Sequence, residues 1–236
     1  MDNTLNTESR SAITAWETFW ITAICFGWAI FGSLMSVAAW TQSVSVTGAS
    51  DLTNAADPGF TDGRFISLIF TEIFCAYVGI TFLKWRCLDV RGLPPQPSIR
   101  GVLEGALLYL VGLCLYWLFA VPLQYGQSPE PIQGMVQGAV VSTWAVVAFA
   151  IVNGTFEEVF LLGVLARGLR GYGMSIAIGI PVLVRLLYHL YQGPVAASSI
   201  GALGIFWGFY YLRTRRLFPV VFAHILADIV PFMWPS

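Results

Sequence analysis

Residues 136–166 read VQGAVVSTWAVVAFAIVNGTFEEVFLLGVLA, and this stretch decides the fold class. It is apolar almost throughout, except for the adjacent carboxylates Glu157 and Glu158. A helix crosses the hydrocarbon core of a bilayer with about 20 apolar residues, so the stretch is long enough to span a membrane. The pattern fits either one tilted helix or a short helix followed by a break near Asn153-Gly154.

The rest of the chain has the same character. Of its 236 residues 57% are hydrophobic and only 11% are charged, against about 25% charged residues in soluble domains. Six further apolar stretches lie at about 12–41, 65–84, 102–124, 174–192, 197–212 and 217–234. We therefore expect an all-α, polytopic membrane protein with about seven transmembrane helices, in which residues 1–236 form a single integral membrane domain.

The cations predict how the helices are oriented, because Lys and Arg near helix ends are retained on the cytoplasmic side. Arg64 lies in a loop on the opposite side, and Arg185 lies inside a helix. The other ten of the twelve cations occur before the first stretch or in alternate loops: Arg10, Lys84, Arg86, Arg91, Arg100, Arg167, Arg170, Arg213, Arg215 and Arg216. This pattern predicts a cytoplasmic N-terminus.

Composition also excludes some partners. The formal net charge is −1, and the longest basic cluster is Arg213, Arg215 and Arg216, so the chain lacks the basic surface of a nucleic-acid-binding protein. The four cysteines show no Cys-x-x-Cys spacing and predict neither a disulfide framework nor a zinc knuckle. The lipid bilayer is the partner that the composition indicates.

Ionisable residues inside the apolar stretches concentrate in the last third of the chain. A charge at mid-bilayer is costly, so such residues usually face a cavity or a partner and mark function. Residues four apart share a helix face, and adjacent residues diverge by about 100°. Carboxylates and histidines brought together could activate water to hydrolyse an amide without a Ser or Cys nucleophile. The residues are Glu157, Glu158, Arg185, His189, His224 and Asp228.

The order of these residues resembles the CPBP family of intramembrane proteases, which includes the CAAX prenyl endopeptidases and bacterial Abi or bacteriocin-processing relatives. The family's Glu-Glu-x-x-x-Arg motif is met by Glu157 and Glu158, with Leu162 at the arginine position. Its Phe-x-x-x-His motif is met at His189, with Arg185 in place of the aromatic residue.

The family's third motif, His-x-x-x-Asn or Asp, is met by His224 and Asp228. The resemblance covers residues 153–228, which we interpret as the catalytic core. The sequence around Arg185, and the continuation of the first motif to Arg167, resemble a bacterial branch of the family. The resemblance therefore implies a bacterial cell membrane as the location, and Arg185 or Arg167 as the replacement for the missing arginine.

The resemblance implies an intramembrane endopeptidase, named a metalloendopeptidase in this family, that acts on a peptide or lipidated protein of CAAX type within the membrane. In this hypothesis Glu157 is the general base on water, assisted by His189. His224 and Asp228 bind the scissile carbonyl or its oxyanion, and Glu158 supports Glu157 or pairs with a cation.

Two other interpretations stand beside it. The departures at Leu162 and Arg185 could mark a catalytically silent relative that acts as a membrane scaffold or a bacteriocin-immunity factor, although both histidines are retained. A small proton-coupled carrier could use the same Glu and His residues as a relay. Such a carrier normally shows an internal repeat, which the sequence lacks.

A metal is a further open question. Glu158, His189 and His224 could supply the three protein ligands of a catalytic zinc ion. No His-x-x-x-His or Glu-x-x-His pair presents two ligands from one helix, which favours a mechanism in which a glutamate works without a bound metal.

Two further expectations concern depth. The glutamates Glu17, Glu72 and Glu104 lie within a few turns of the span ends and are expected to be solvated or to snorkel. Counted from the cationic ends at about 1.5 Å per residue, His224 lies about 10 Å deep and His189 more than 20 Å deep. This mismatch indicates that some helix boundaries need adjustment.

Overall fold

The computed structural model describes residues 12–47, 59–125 and 130–233. All regular elements in these ranges are helical. A π-helical segment, Val159–Ala166, continues α5, and the 3-10 turn Leu190–Gln192 follows α6. The α-helices are α1 (Ala15–Thr47), α2 (Asp62–Trp85), α3 (Ile99–Gln124), α4 (Pro131–Gln137), α5 (Thr143–Glu158), α6 (Met174–His189), α7 (Pro194–Thr214) and α8 (Phe218–Met233).

Six of the helices in these ranges are long and apolar enough to cross a membrane. The last apolar helix, α8, has 16 residues and is shorter than the others. Large apolar side chains are exposed along the outer surface, including Phe70, Phe74 and Tyr77 on α2, which fits contact with lipid rather than water. The protein is an all-α, polytopic membrane protein, as the composition predicts.

The stretch that decided the fold class forms the centre of the bundle. Its helix begins at Thr143, because residues 131–137 form the separate helix α4, and it continues to Ala166 without a break. Gly154 serves close packing instead of a break, because a Cβ there would lie 3.2 Å from the side chain of Ile225 on α8. All eight residues of the π-helical segment are buried. Such wide turns occur frequently at functional sites.

Side-chain and backbone contacts place the cation-bearing loops at one end of the bundle. Arg86 after α2 donates to Glu17 of α1 over 2.9 Å. The backbone N–H of Ile13, before α1, donates to the carbonyl of Gly168 over 3.2 Å. Arg216, between α7 and α8, donates to Glu104 of α3. The shared end agrees with the alternation of cations along the chain, while Arg10 lies outside the described residues.

Side chains also fix the helix ends opposite the cationic loops. Glu130, before α4, accepts hydrogen bonds from the backbone N–H groups of Val195 and Ala196, at 2.6 and 2.7 Å. These are free N–H groups at the start of α7, where a carboxylate is favourable. Asp62, at the start of α2, accepts from the backbone N–H and the hydroxyl of Ser142. Both contacts join distant parts of the chain and position α5 and α7.

Candidate active site

Three helices bring the ionisable residues of the last third of the chain together. The end of α5 packs against α8, and α6 packs against the π-helical continuation of α5. Glu157 and Glu158 therefore meet residues of α6 on one side and His224 of α8 on the other. All three side chains are buried, with exposures of 6%, 0% and 7%.

Glu158 is held by two donors inside the bundle. The guanidinium of Arg185 donates to its Oε1, and Nδ1 of His224 lies 2.6 Å from the same oxygen. Arg185 is itself 3% exposed and lies over the ring of Trp207, 5.5 Å from its centroid. An isolated charge is very costly at this depth, so the Glu158–Arg185 pair lets both groups stay charged in an apolar interior. These contacts hold the side chain of Glu158 in place, which indicates a structural role.

The side chain of Glu157 points in a different direction, because adjacent residues of a helix diverge by about 100°. The hydroxyl of Tyr188, on α6, donates to its Oε2. Nε2 of His224 lies 3.8 Å from that oxygen and 3.6 Å from Oδ1 of Asp228. Asn153 donates to Oδ2 of Asp228 over 2.9 Å. His224 is therefore surrounded by three carboxylates, one bonded through Nδ1 and two near Nε2.

A cavity of about 420 Å³ opens beside this cluster. Its wall includes Glu157, His224, Asp228 and Asn153, whereas Glu158 is absent from it. The rest of the wall is largely apolar, with the rings of Phe26, Phe65, Phe149 and Phe156. A cavity of this size and composition fits the pattern of a small-molecule or peptide site, mainly apolar with a few convergent polar groups.

His189 and Arg167 lie differently from the other predicted residues. His189 lines the cavity, but its hydrogen bond is made by Nδ1 with the backbone carbonyl of Arg185 at 3.0 Å. The contact with Glu157 is made by its neighbour Tyr188 instead. Arg167 donates to the backbone carbonyl of Asp89, in the loop after α2, and is absent from the cavity wall. Of the two arginines proposed to replace the one missing at Leu162, Arg185 is the one beside the glutamates.

The depth mismatch has a simple origin. The residues of α6 that meet the glutamates are Arg185 and Tyr188, up to one turn closer to the cationic end than His189. Tyr188 is not among the residues that the sequence predicts for the site, although it lies three residues from Arg185 and so shares its helix face. Asn153 is not among them either, although it lies four residues before Glu157 and so shares its helix face.

The expectation of solvated glutamates near the span ends is wrong for two of the three. Glu17 is fully buried and accepts from Arg86 and from Thr14. Glu72 is 4% exposed and lines the cavity. Glu104 is partly exposed and accepts from Arg100, Tyr210 and Arg216. Burial of Glu17 follows from its cation partner across the bundle, which sequence spacing does not reveal.

The chemistry of the donor set decides how well a metal fits. Glu157, Glu158 and His224 each offer an atom within 4.8 Å of the others, and this is the one such group of metal-binding side chains within the described ranges. His189 is outside it, so the set Glu158, His189 and His224 is not assembled. Oε1 of Glu158 and Nδ1 of His224 are bonded to each other, and a guanidinium lies on the same oxygen. Oε1 of Glu158 and Nδ1 of His224 are therefore not free as ligands, whereas Oε2 of Glu158 is buried without a hydrogen-bond partner.

Fold and site together define a polytopic helical membrane protein with a buried centre of carboxylates and histidine beside an apolar cavity. Residues 139–230 match the family model described as Type II CAAX prenyl endopeptidase Rce1-like. This part of the chain, from just before α5 into α8, is therefore similar to the CPBP (CAAX protease) family. Neither the curated proteins nor the solved structures contain a match.

Proposed function

We propose that this protein is an intramembrane endopeptidase that cleaves a peptide bond of a membrane-associated or CAAX-type protein with water activated by Glu157. The observation that carries the proposal is the contrast between two adjacent glutamates. Glu157 lines the cavity, whereas Glu158 is fixed behind it by Arg185 and His224. The family match of residues 139–230 supports the protease class.

In the first step Glu157 takes a proton from water. Its Oε2 and Nε2 of His224 lie 3.8 Å apart, so one water could contact both at hydrogen-bond distances of about 2.8 Å. The water oxygen bonds to the scissile carbonyl carbon while its proton passes to Glu157. The hydrogen bond from Tyr188 holds the carboxylate in the orientation that this transfer needs.

In the second step the tetrahedral intermediate collapses. The negative charge on the former carbonyl oxygen is stabilised by a donor aimed at it, and we assign this role to Nε2–H of His224. The Glu158 bond to Nδ1 fixes the ring, and Asp228, held by Asn153, lies beside Nε2. The carbon–nitrogen bond breaks, and Glu157 returns its proton to the leaving amine.

His189 assists from the cavity wall. The backbone carbonyl of Arg185 can only accept, so Nδ1 of His189 carries the hydrogen in this contact. In the neutral ring the lone pair of Nε2 is then available to accept from a water or from the substrate amide. This assigns His189 to positioning, whereas His224 contacts the reacting oxygen.

The proposed mechanism uses no metal, because Oε1 of Glu158 already accepts from Arg185 and is hydrogen-bonded to Nδ1 of His224. The larger setting is a bacterial cell membrane with a cytoplasmic N-terminus, which rests on the distribution of cations and on the resemblance of the sequence around Arg185. The substrate is a peptide or a lipidated protein that enters the cavity from the bilayer.

The test is cleavage by the full chain in lipid nanodiscs. Peptides that end in a CAAX tetrapeptide, with and without a prenyl group, are incubated with it and analysed by mass spectrometry. We expect two products whose masses sum to the substrate plus one water. Addition of a chelator is expected to leave the rate of cleavage within about twofold, because the proposed mechanism needs no metal that a chelator could remove. Loss of cleavage that zinc restores would contradict the metal-free mechanism, and intact peptides throughout would support a silent scaffold.

A further inference from the structure

Glu72 is the one acidic residue of the cavity wall that the mechanism leaves unused. It lies within α2, between Asp62 and Trp85, and is 4% exposed. It shares the cavity with Glu157, although it belongs to a helix outside the segment that matches the family. Its Oε2 is buried without a hydrogen-bond partner, and no hydrogen bond or ion pair between described residues involves this side chain.

A buried carboxyl group without a donor is unfavourable, because the group has lost water and gained nothing in exchange. The other acidic residues of the site are all supplied: Glu157 by Tyr188, Glu158 by Arg185, and Asp228 by Asn153. Glu72 differs from them because it has no donor from another described residue. Oε2 of Glu158 is also buried without a partner, but Oε1 of Glu158 has two. The presence of such a carboxyl group at a cavity wall is explained if a bound ligand brings the hydrogen-bond donor.

The chemistry of a peptide in an apolar cavity supplies that donor. Each backbone N–H of a bound peptide needs an acceptor, because lipid supplies none and the largely apolar cavity wall offers few polar groups. Many peptide sites satisfy these groups with the edge of a β-sheet. The regular elements in the described part of this chain are all helices, whose backbone groups are largely used internally. Side-chain acceptors on the cavity wall therefore have to replace a sheet edge.

We propose that Glu72 is a substrate-binding residue that accepts a hydrogen bond from a main-chain N–H of an extended peptide, outside the scissile bond. The proposal rests on the proposed peptidase function and extends it to recognition of the peptide backbone. The wall beside Glu72 favours an amide over a cationic side chain. Leu68 lies one turn away, and the stacked rings of Phe65 and Phe149, 4.5 Å between centroids, belong to the same wall. An amide loses far less solvation than an ammonium group on entering such surroundings.

The test combines Glu72 variants with substrates that are N-methylated at one amide at a time. In the unsubstituted protein, methylation of one particular amide is expected to raise KM about 10-fold or more, with kcat little changed, as for loss of one hydrogen bond that leaves a buried acceptor unsatisfied. Glu72→Leu should raise KM for the unmethylated peptide by a similar factor and should be insensitive to that methylation. Glu72→Gln keeps an acceptor oxygen and should restore most of the affinity.

The matched control is Thr81→Leu, a polar-to-leucine change on the exposed side of the same helix, which should leave KM as in the unsubstituted protein. Thermal unfolding separates binding from folding, since Glu72→Leu removes an unsatisfied group and should not lower the midpoint. An unchanged KM in Glu72→Leu, or additive effects of the variant and methylation, would overturn the proposed role of Glu72. The peptidase function would not be affected by that result. A requirement for Lys or Arg in the peptide that disappears in Glu72→Leu would overturn it in favour of a cation. Absence of cleavage by the unsubstituted protein would contradict the peptidase function itself.

Discussion

Two neighbouring residues of one helix have opposite environments in this protein. Glu158 shares its Oε1 between Arg185 and His224 and has no access to the cavity. Glu157 receives one hydrogen bond, from Tyr188, and faces the cavity. A single helix can achieve this contrast because adjacent side chains diverge by about 100°. A structural and a reacting carboxylate can thus be adjacent in sequence.

Tyr188 offers a direct test of how Glu157 is positioned. Tyr188→Phe removes the donor but keeps the ring, which stacks on Phe26 with centroids 5.3 Å apart. We expect kcat to fall about 10-fold, the equivalent of one hydrogen bond to a charged group. Steady-state cleavage of a peptide substrate measures this effect. Tyr109→Phe, on α3 away from the cavity, is the control, and equal kcat values in the two variants would refute the positioning role.

At this scale the sequence predicted the carboxylates, His224 and Arg185, which the structure brings together, but not the contact of Tyr188 with Glu157 or of Asn153 with Asp228. Residue type and spacing predicted that His224 and Asp228 share a face, and their side chains lie 3.6 Å apart. The contact of Tyr188 with Glu157 depends on the rotation of α6 against α5, which no local pattern specifies. The same limit applies to Glu72, whose place in the cavity depends on the packing of α2 against α5.

Among the elements, α5 and its π-helical continuation determine the site. Apolar length predicted that this helix spans the membrane, and the structure has it as one continuous element. The wide turns of Val159–Ala166 follow directly after Glu158. Hydrophobicity patterns distinguish helices from strands, but they do not distinguish an α-helix from a π-helix when every residue is apolar and buried. That part of the fold could not be predicted from sequence.

Gly79 tests how tightly α2 packs against this segment. A Cβ at Gly79 would lie 2.8 Å from the ring of Phe160 and 2.9 Å from Sγ of Cys25. Gly79→Ala should therefore lower stability by about 1–3 kcal/mol through overpacking. Thermal unfolding in detergent is the measurement. Gly27→Ala on α1 is the control, since nothing lies within 4 Å of its Cβ position, and it should not lower the midpoint. A similar midpoint for both variants would show that the packing is looser than this account requires.

At the scale of the whole molecule, the described loops that follow α2, precede α6 and join α7 to α8 carry most of the cations and share one end of the bundle. Composition predicted about seven spans; six helices of the described ranges are long and apolar enough to cross a membrane, and α8 is a shorter apolar helix. The alternation of the spans, predicted from loop charge, stays a prediction. The cavity itself follows from the mutual positions of α1, α2, α4, α5, α6, α7 and α8, and its volume cannot be read from the sequence. We propose that the cationic end faces the cytoplasm.

The exposed thiol of Cys87 tests that orientation. It lies in the loop after α2, at the cationic end, whereas Gln137 at the end of α4 is exposed at the other end. In intact cells a membrane-impermeant maleimide should leave Cys87 unlabelled until the membrane is permeabilised. The variant Gln137→Cys, made with Cys87→Ser, should be labelled at once. Labelling of Cys87 in intact cells would reverse the proposed topology.

Glu157 as the base of an intramembrane protease is the central claim, and the most direct measurement is cleavage by Glu157→Gln in lipid nanodiscs. This variant keeps the size of the side chain and an acceptor for Tyr188, so the fold and expression should be retained. We expect cleavage to fall by at least about 10²-fold, as for loss of a general base. The matched control Glu104→Gln changes a carboxylate that is bonded to Arg100, Tyr210 and Arg216 away from the cavity, and it should cleave as the unsubstituted protein does. Cleavage that survives in Glu157→Gln would contradict the account and would transfer the base to Glu158.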